Sequence, residues 1–154
     1  MNIEVEVTID APAETVWNVA TDIERCVDVI SGITAVEILD RPATGLVGLK
    51  WRETRTMFGK TATEDMWITE STEFSLYDVR AESHGMIYTT TIAMAEADGK
   101  TTLKWDFGGE PQGTMAKVMA ATMGRLFAGA TRKMLRQDLL DIKAFVEKAE
   151  PASA

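Results

Sequence analysis

The chain holds one cysteine, one histidine and four prolines in 154 residues. With no second cysteine, Cys26 cannot form an internal disulfide. That fits a reducing compartment, and a cytoplasmic location is expected. A single histidine, His84, cannot build a His-rich metal site, and no Cys/His cluster exists, so neither a metal nor a cofactor is expected. No apolar run approaches the ~20 residues that a membrane helix needs, so stable membrane insertion is not expected. The N-terminus MNIEVEVTID alternates polar with apolar residues and does not read as a signal peptide. Gly108-Gly109-Glu110-Pro111 lacks the Lys-Ser/Thr of a phosphate-binding loop. Ser31, Ser71, Ser75 and Ser83 sit in no nucleophile-elbow motif. There is no internal repeat and no low-complexity linker.

What is present describes one folded unit. Hydrophobic residues make up 45% of the chain, well above the range of disordered segments. The length suits a single domain over 1–150, with 151–154 as a frayed tail. Lys plus Arg number 16 against 24 Asp plus Glu, a net charge of −8. Such a balance argues against nonspecific binding to nucleic acid or to anionic membranes.

Ile3, Val5, Val7 and Ile9 alternate with Glu4, Glu6, Thr8 and Asp10, the pattern of a half-buried antiparallel strand. Asp10 before Ala11-Pro12 reads as an N-cap with proline in the first turn of a helix carrying Val16, Trp17 and Ala20. Thr21-Asp22 reads as a second cap, for a short helix through Ile30 that Ser31-Gly32 ends. Strands follow at Ile33–Leu39, Leu49–Met57, Thr61–Thr69, Phe74–Ala81, Met86–Met94 and Thr101–Phe107. Phe58-Gly59-Lys60, Glu82-Ser83-His84-Gly85 and Ala97-Asp98-Gly99-Lys100 supply turns. With the first strand the count is seven.

Residues Gln112–Lys148 read as one long closing helix. At about 100° per residue, Leu135, Leu139, Ile142 and Val146 share a face with Thr131, Ala128, Gly124 and Ala121. The stripe is large at its C-terminal end and small at its N-terminal end. Phe127, Met134 and Met123 line one flank. Two readings fit: close packing on the sheet, or a void left by the small residues. Gly124 and Gly129 each cost roughly 1 kcal/mol inside a helix, which favours a reason for their presence. Met115, Met119 and Leu126 project elsewhere, as an exposed patch or an interface.

Polar residues inside strands are the candidate chemistry. In Trp51-Arg52-Glu53-Thr54-Arg55-Thr56-Met57, an inward Trp51 and Met57 would turn Glu53 and Arg55 inward too. Glu64 shares parity with Met66 and Ile68. A buried carboxylate requires a partner, which Arg55 could supply. Alternatively these charges cover the solvated face and pair across strands. Tyr88, Thr90 and Ile92, with Leu103, Trp105 and Phe107, read as inward. Cys26, among Val27, Val29 and Ile30, reads as buried and inert. His84 reads as a solvated or structural turn residue.

The order of elements, and particular residues in it, resemble the START-like helix-grip superfamily. That superfamily includes polyketide cyclases/dehydrases, lipid-transfer domains and the birch-pollen allergen family. The residues are Ile9-Asp10-Ala11-Pro12 with Val16-Trp17 and Asp22, then Gly48-Leu49-Lys50-Trp51 and Gly59. Gly99-Lys100-Thr101-Thr102-Leu103-Lys104-Trp105 and Leu139-Leu140-Asp141-Ile142-Lys143 through Glu147 complete the set. The resemblance implies an α+β helix-grip fold: a seven-stranded curved antiparallel sheet around the long C-terminal helix, with two short helices after the first strand.

The function expected is binding or carriage of a small apolar or amphipathic molecule between sheet and helix. Trp51, Met66, Tyr88, Thr90, Trp105, Phe107, Met123, Gly124 and Phe127 would form the wall, and Arg55, Glu53 or Tyr88 would orient a polar end. A cyclase/dehydratase-like enzyme is the alternative, with Glu53 or Glu64 as general base and Tyr88 as acid. A third reading is an interaction module that dimerises through the Met115–Leu126 face. The expected partner is thus a small ligand, with a homodimer as an option and no nucleic acid.

Overall fold

The computed structural model describes residues 2–57 and 59–149. Phe58, in one expected turn, and the tail 151–154 lie outside them. Strand β1 (Asn2–Ile9) leads to α1 (Ala13–Ala20), a 3-10 turn (Ile23–Arg25) and α2 (Cys26–Val29). Six strands follow: β2 (Ile33–Asp40), β3 (Lys50–Met57), β4 (Lys60–Thr72), β5 (Leu76–Ser83), β6 (Met86–Ala97) and β7 (Lys100–Pro111). Helix α3 (Thr114–Ala149) closes the chain. The sheet is seven-stranded in the order β1-β7-β6-β5-β4-β3-β2 and antiparallel throughout. This is the expected helix-grip architecture.

The sheet curves for local reasons. The β5–β6 and β6–β7 hairpins turn on His84-Gly85 and Asp98-Gly99, all four at positive φ. Two-residue turns of that kind match the right-handed twist of their strands. Register shifts interrupt β2 at Ile33/Ala35 and Ile38/Asp40 and β4 at Ile68/Glu70, and such bulges bend a strand.

The caps differ from expectation. Helix α1 starts at Ala13 with Pro12 in the cap position, extended and without a side-chain cap. The cap comes instead from a distant strand, because Glu96 Oε1 on β6 accepts the Ala13 N–H at 2.7 Å. Thr21 ends α1 rather than opening α2, its hydroxyl donating to the Trp17 carbonyl at 2.8 Å. Phe74, expected in β5, occupies the β4–β5 turn at φ 63° and packs edge-on against Trp17 at 6.1 Å. Strand β7 runs on past Phe107 through Gly108-Gly109 to Pro111.

Helix α3 has two unlike halves. From Thr131 onward Leu135, Asp138, Leu139, Ile142 and Val146 are buried, next to core residues of β1 such as Ile3 and Ile9. Polar ties fix this half. Lys143 Nζ donates to the Thr8 carbonyl at 2.6 Å and to Glu147 Oε2 at 2.8 Å, and Glu147 also accepts the Asp10 N–H at 2.8 Å. Asp141 Oδ2 accepts both the N–H and the hydroxyl of Ser31, at 2.9 and 2.8 Å. Between Thr114 and Ala130 no residue is buried. Just before the helix, the Gln112 N–H donates to the Gly85 carbonyl at 2.6 Å. The first half therefore spans from the β5–β6 turn to the anchored half without packing tightly on the sheet.

Candidate functional site

Beneath that span lies a cavity of about 930 Å³, a size typical of small-molecule pockets. The small residues Ala116, Ala120, Ala121 and Gly124 of α3 line its roof, so of the two readings of the helix the void is the one found. A Cβ built on Gly124 meets nothing within 4 Å. The inward residues of the sheet form its floor, and α1, the 3-10 turn and α2 contribute Val19, Ile23, Cys26 and Val29 at one side.

Strand pairing explains how the floor is assembled. Trp51 pairs with Met66, Met66 with Ala81, Ala81 with Tyr88 and Tyr88 with Gly109, so one row crosses five strands. Thr90 pairs with Phe107 and Ile92 with Trp105 in neighbouring rows. All six aromatic, Met and Thr positions expected on the strands (Trp51, Met66, Tyr88, Thr90, Trp105, Phe107) line the cavity, as do Met123, Gly124 and Phe127 of α3. Leu103 also points inward but lies in the solid core, fully buried. Tyr88 stacks on Phe107 at 5.5 Å between ring centroids. The space for Tyr88 depends on Gly109, where a Cβ would approach its ring to 3.4 Å and Met86 Cε to 3.2 Å.

Glu53, Arg55 and Glu64 face the cavity too, so the reading that put these charges on the solvated face is incorrect. That role falls to their neighbours: Arg52 on the opposite face pairs with Asp65 at 2.8 Å. Arg55 lies between two carboxylates. Its Nε donates to Glu53 Oε2 at 3.3 Å, and its Nη1 donates to Asp138 Oδ2 at 3.0 Å and Oδ1 at 3.4 Å. Trp51 Nε1 donates to the other Glu53 oxygen at 3.4 Å. The three charged side chains are 12%, 10% and 3% exposed for Arg55, Glu53 and Asp138.

Asp138 is the site residue that sequence reasoning misses. A signal exists, since it falls on the same stripe as Thr131, Leu135 and Ile142. A carboxylate among buried positions requires a buried cation.

The electrostatics follow from burial. Desolvation pushes the Asp138 carboxyl up to about 6, against the attraction of Arg55 and with the help of Glu53. Burial also works against the charge of Arg55, but Asp138 and Glu53 together outweigh it and raise its pKa. Glu64 pairs directly across from Glu53. Its pKa is raised first by burial and then by the Glu53 charge, with His84, Arg55 and Ser83 opposing. Tyr88 is raised by burial and by Glu64. His84 is exposed at the cavity edge, its Nδ1 2.7 Å from the Ser83 hydroxyl. Cys26 is buried, and desolvation pushes its thiol up to about 12, which leaves it unreactive.

A curved antiparallel sheet gripping a long helix over an internal cavity defines a START-like, helix-grip protein. Sequence comparison gives the family. Residues 1–144 match the family described as "Polyketide cyclase / dehydrase and lipid transport", and the chain belongs to it. No curated protein gives a significant match. Among solved structures it is similar to TTHA0849 from Thermus thermophilus, with a TM-score of 0.80, 16% identity, and 97% of this chain covered against 99% of that one. The Zhui aromatase/cyclase from Streptomyces sp. R1128 gives a TM-score of 0.79 at 17% identity, covering 100% of this chain and 98% of that one. A START superfamily protein from Mycobacterium smegmatis gives 0.63 at 18% identity, covering 88% and 97%. These likenesses establish the fold. Among the described residues no helix is long and apolar enough to cross a membrane.

Proposed function

We propose that this protein binds and carries a small amphipathic molecule, mostly apolar, inside the cavity and within the cytoplasm. The observation that supports this most is the pairing of a large apolar chamber with one charged cluster, Arg55 between Glu53 and Asp138, on its wall. The apolar body of a ligand would rest on Trp51, Tyr88, Trp105 and Phe107, and its polar end would meet Arg55. A buried polar contact of this kind fixes orientation and contributes roughly 1–3 kcal/mol. The test is native mass spectrometry of freshly purified protein, followed by titration with a fluorescent fatty acid while tryptophan emission is read. A retained small molecule, or saturable quenching, supports the reading. Unquenched emission with every apolar probe contradicts it.

A second reading is supported by the raised pKa values of Asp138 and Glu64. Carboxyls that hold protons closer to neutrality are suited to general acid–base work on a poly-β-ketone, as in cyclisation with loss of water. Glu64 or Glu53 would act as base and Tyr88 as acid. Turnover of a poly-β-ketothioester that is abolished by Glu64→Gln would favour this reading over carriage.

A further inference from the structure

The overall charge of −8 conceals a segregated segment. From Pro111 to Gln137 the sequence contains Lys117, Arg125, Arg132, Lys133 and Arg136 and no acidic residue. All five side chains are exposed, and none forms an ion pair among the described residues. The same stretch carries the most exposed large apolar side chains of the protein, Met115 at 81% and Leu126 at 80%. At about 100° per residue, Met115 and Leu126 fall on one outward stripe, away from the small residues that roof the cavity, and Met119 lies at the side of that stripe that turns toward the cavity. Arg125, Arg132 and Arg136 run along one edge of that stripe. Met119, Met123 and Phe127 are exposed and also line the cavity, so the apolar surface is continuous with the cavity mouth.

We propose that this half of α3 docks on the surface of an anionic lipid bilayer. A helix with an apolar stripe flanked by unpaired cations lies in the interfacial plane, the stripe among the upper acyl chains and the cations among the head groups. The flexible Met and Leu side chains form a ridge rather than a socket, which suits a fluid surface. The helix is held at Gly85 and from Thr131 onward, so the span between can meet a bilayer without unfolding the sheet. The acidic remainder of the chain would be repelled from such a surface, which orients the molecule with its cavity mouth toward the lipid. The use of this docking, loading an apolar cargo, rests on the carrier reading. The docking itself does not.

The experiment is co-sedimentation of the intact protein with vesicles of phosphatidylcholine alone and of equimolar phosphatidylcholine and phosphatidylglycerol, at low salt and at about 0.5 M salt. Binding to the anionic vesicles alone, released by salt, is expected. Arg125→Gln/Arg132→Gln should weaken it by roughly fivefold per cation removed, and Leu126→Asp should abolish it. Neither variant touches the cavity wall, so fatty-acid titration in solution should remain unchanged and reports separately on the carrier reading. Circular dichroism confirms that each variant is folded. Three results would overturn the proposal: no sedimentation with anionic vesicles at low salt, equal binding to both vesicle types, or undiminished binding by both variants. Light scattering that shows a dimer dissociated by Leu126→Asp, without vesicle binding, would assign the face to a second copy of the chain instead.

Discussion

Arg55 Nη1 on β3 lies 3.0 Å from Asp138 Oδ2 on α3, and this pair joins the strand next to the sheet's β2 edge to the closing helix across the cavity wall. Its two members should respond differently to mutation. Arg55→Met leaves Glu53 and Asp138 facing each other without a cation. Breaking a buried pair from the cationic side costs about 3–5 kcal/mol. The loss should be full at pH 8 and smaller at pH 5, where Asp138 takes up a proton. Urea melts at both pH values check this, and an equal loss at both would show that the carboxylates are not the cause.

Asp138 itself predicts a pH dependence with a definite sign. Its folded pKa of about 6 lies above the ordinary 3.8. Between those values the unfolded chain has released a proton that the folded chain retains. Stability therefore falls as pH rises from about 4 to 6, by about 3 kcal/mol for this group. Asp138→Asn should remove that slope, and above pH 6 the variant should be at least as stable as the parent. A variant that melts well below the parent at pH 7 would mean that the Arg55 contact outweighs the burial penalty.

The strands and the long helix were legible because their periods are local. Ile3-Val5-Val7-Ile9 and Leu135-Leu139-Ile142-Val146 state their buried faces within a few residues. The small-residue stripe at Ala121 and Gly124 also carries the cavity, although close packing fits the same local pattern and only the curvature of the distant sheet decides between them. The face of Glu53 and Arg55 was less legible, because the cation's second partner, Asp138, is 83 residues away. Nothing near β3 in sequence announces it. The α1 cap failed for the same reason: Glu96, which accepts the Ala13 N–H, is separated by 83 residues and becomes a neighbour only when β6 is in place.

Filling the roof tests whether the cavity is the ligand site. Since a Cβ at Gly124 meets nothing within 4 Å, Gly124→Leu should enter the cavity without displacing backbone. Replacing a mid-helix glycine favours the helix by up to about 1 kcal/mol. The expected result is a protein as stable as the parent that no longer quenches with a fluorescent fatty acid. Stable protein with unaltered affinity would move the ligand elsewhere.

Trp105 gives a finer probe. Its Nε1 is buried and has no acceptor among the described residues, although the ring lines the cavity. An unpaired buried donor costs about 1–3 kcal/mol. Trp105→Phe removes the donor and keeps an aromatic wall, so the loss in stability should be no more than the smaller ring explains. If a ligand's oxygen accepts from Nε1, the variant should bind an oxygen-bearing amphiphile about tenfold more weakly, yet bind a pure hydrocarbon equally well. Isothermal titration with both would separate these. Equal weakening for the two would assign Trp105 a purely packing role.

Glu64 separates carriage from chemistry. It pairs across from Glu53 on the cavity face, and burial holds its pKa above the ordinary value. In a carrier, Glu64→Gln removes a partly buried charge that Glu53 repels, so it should leave stability equal or slightly higher and change affinity for a neutral ligand by less than about threefold. In an enzyme the same change removes the proton acceptor, and turnover should fall by about 10²–10⁴ with little effect on binding of an unreactive analogue. Tyr88→Phe sharpens the distinction. It keeps the stacking on Phe107 at 5.5 Å and deletes only the hydroxyl, so a carrier should tolerate it. We expect the carrier pattern, because Arg55 holds Glu53 and Asp138 in internal ion pairs, and His84, although it lines the cavity and acts on Glu64, is exposed at the edge and engaged by the Ser83 hydroxyl. Retained binding by both variants with no turnover of a poly-β-ketothioester by the parent would establish it. A parent that turns the thioester over, and loses that activity in Glu64→Gln, would establish the enzyme.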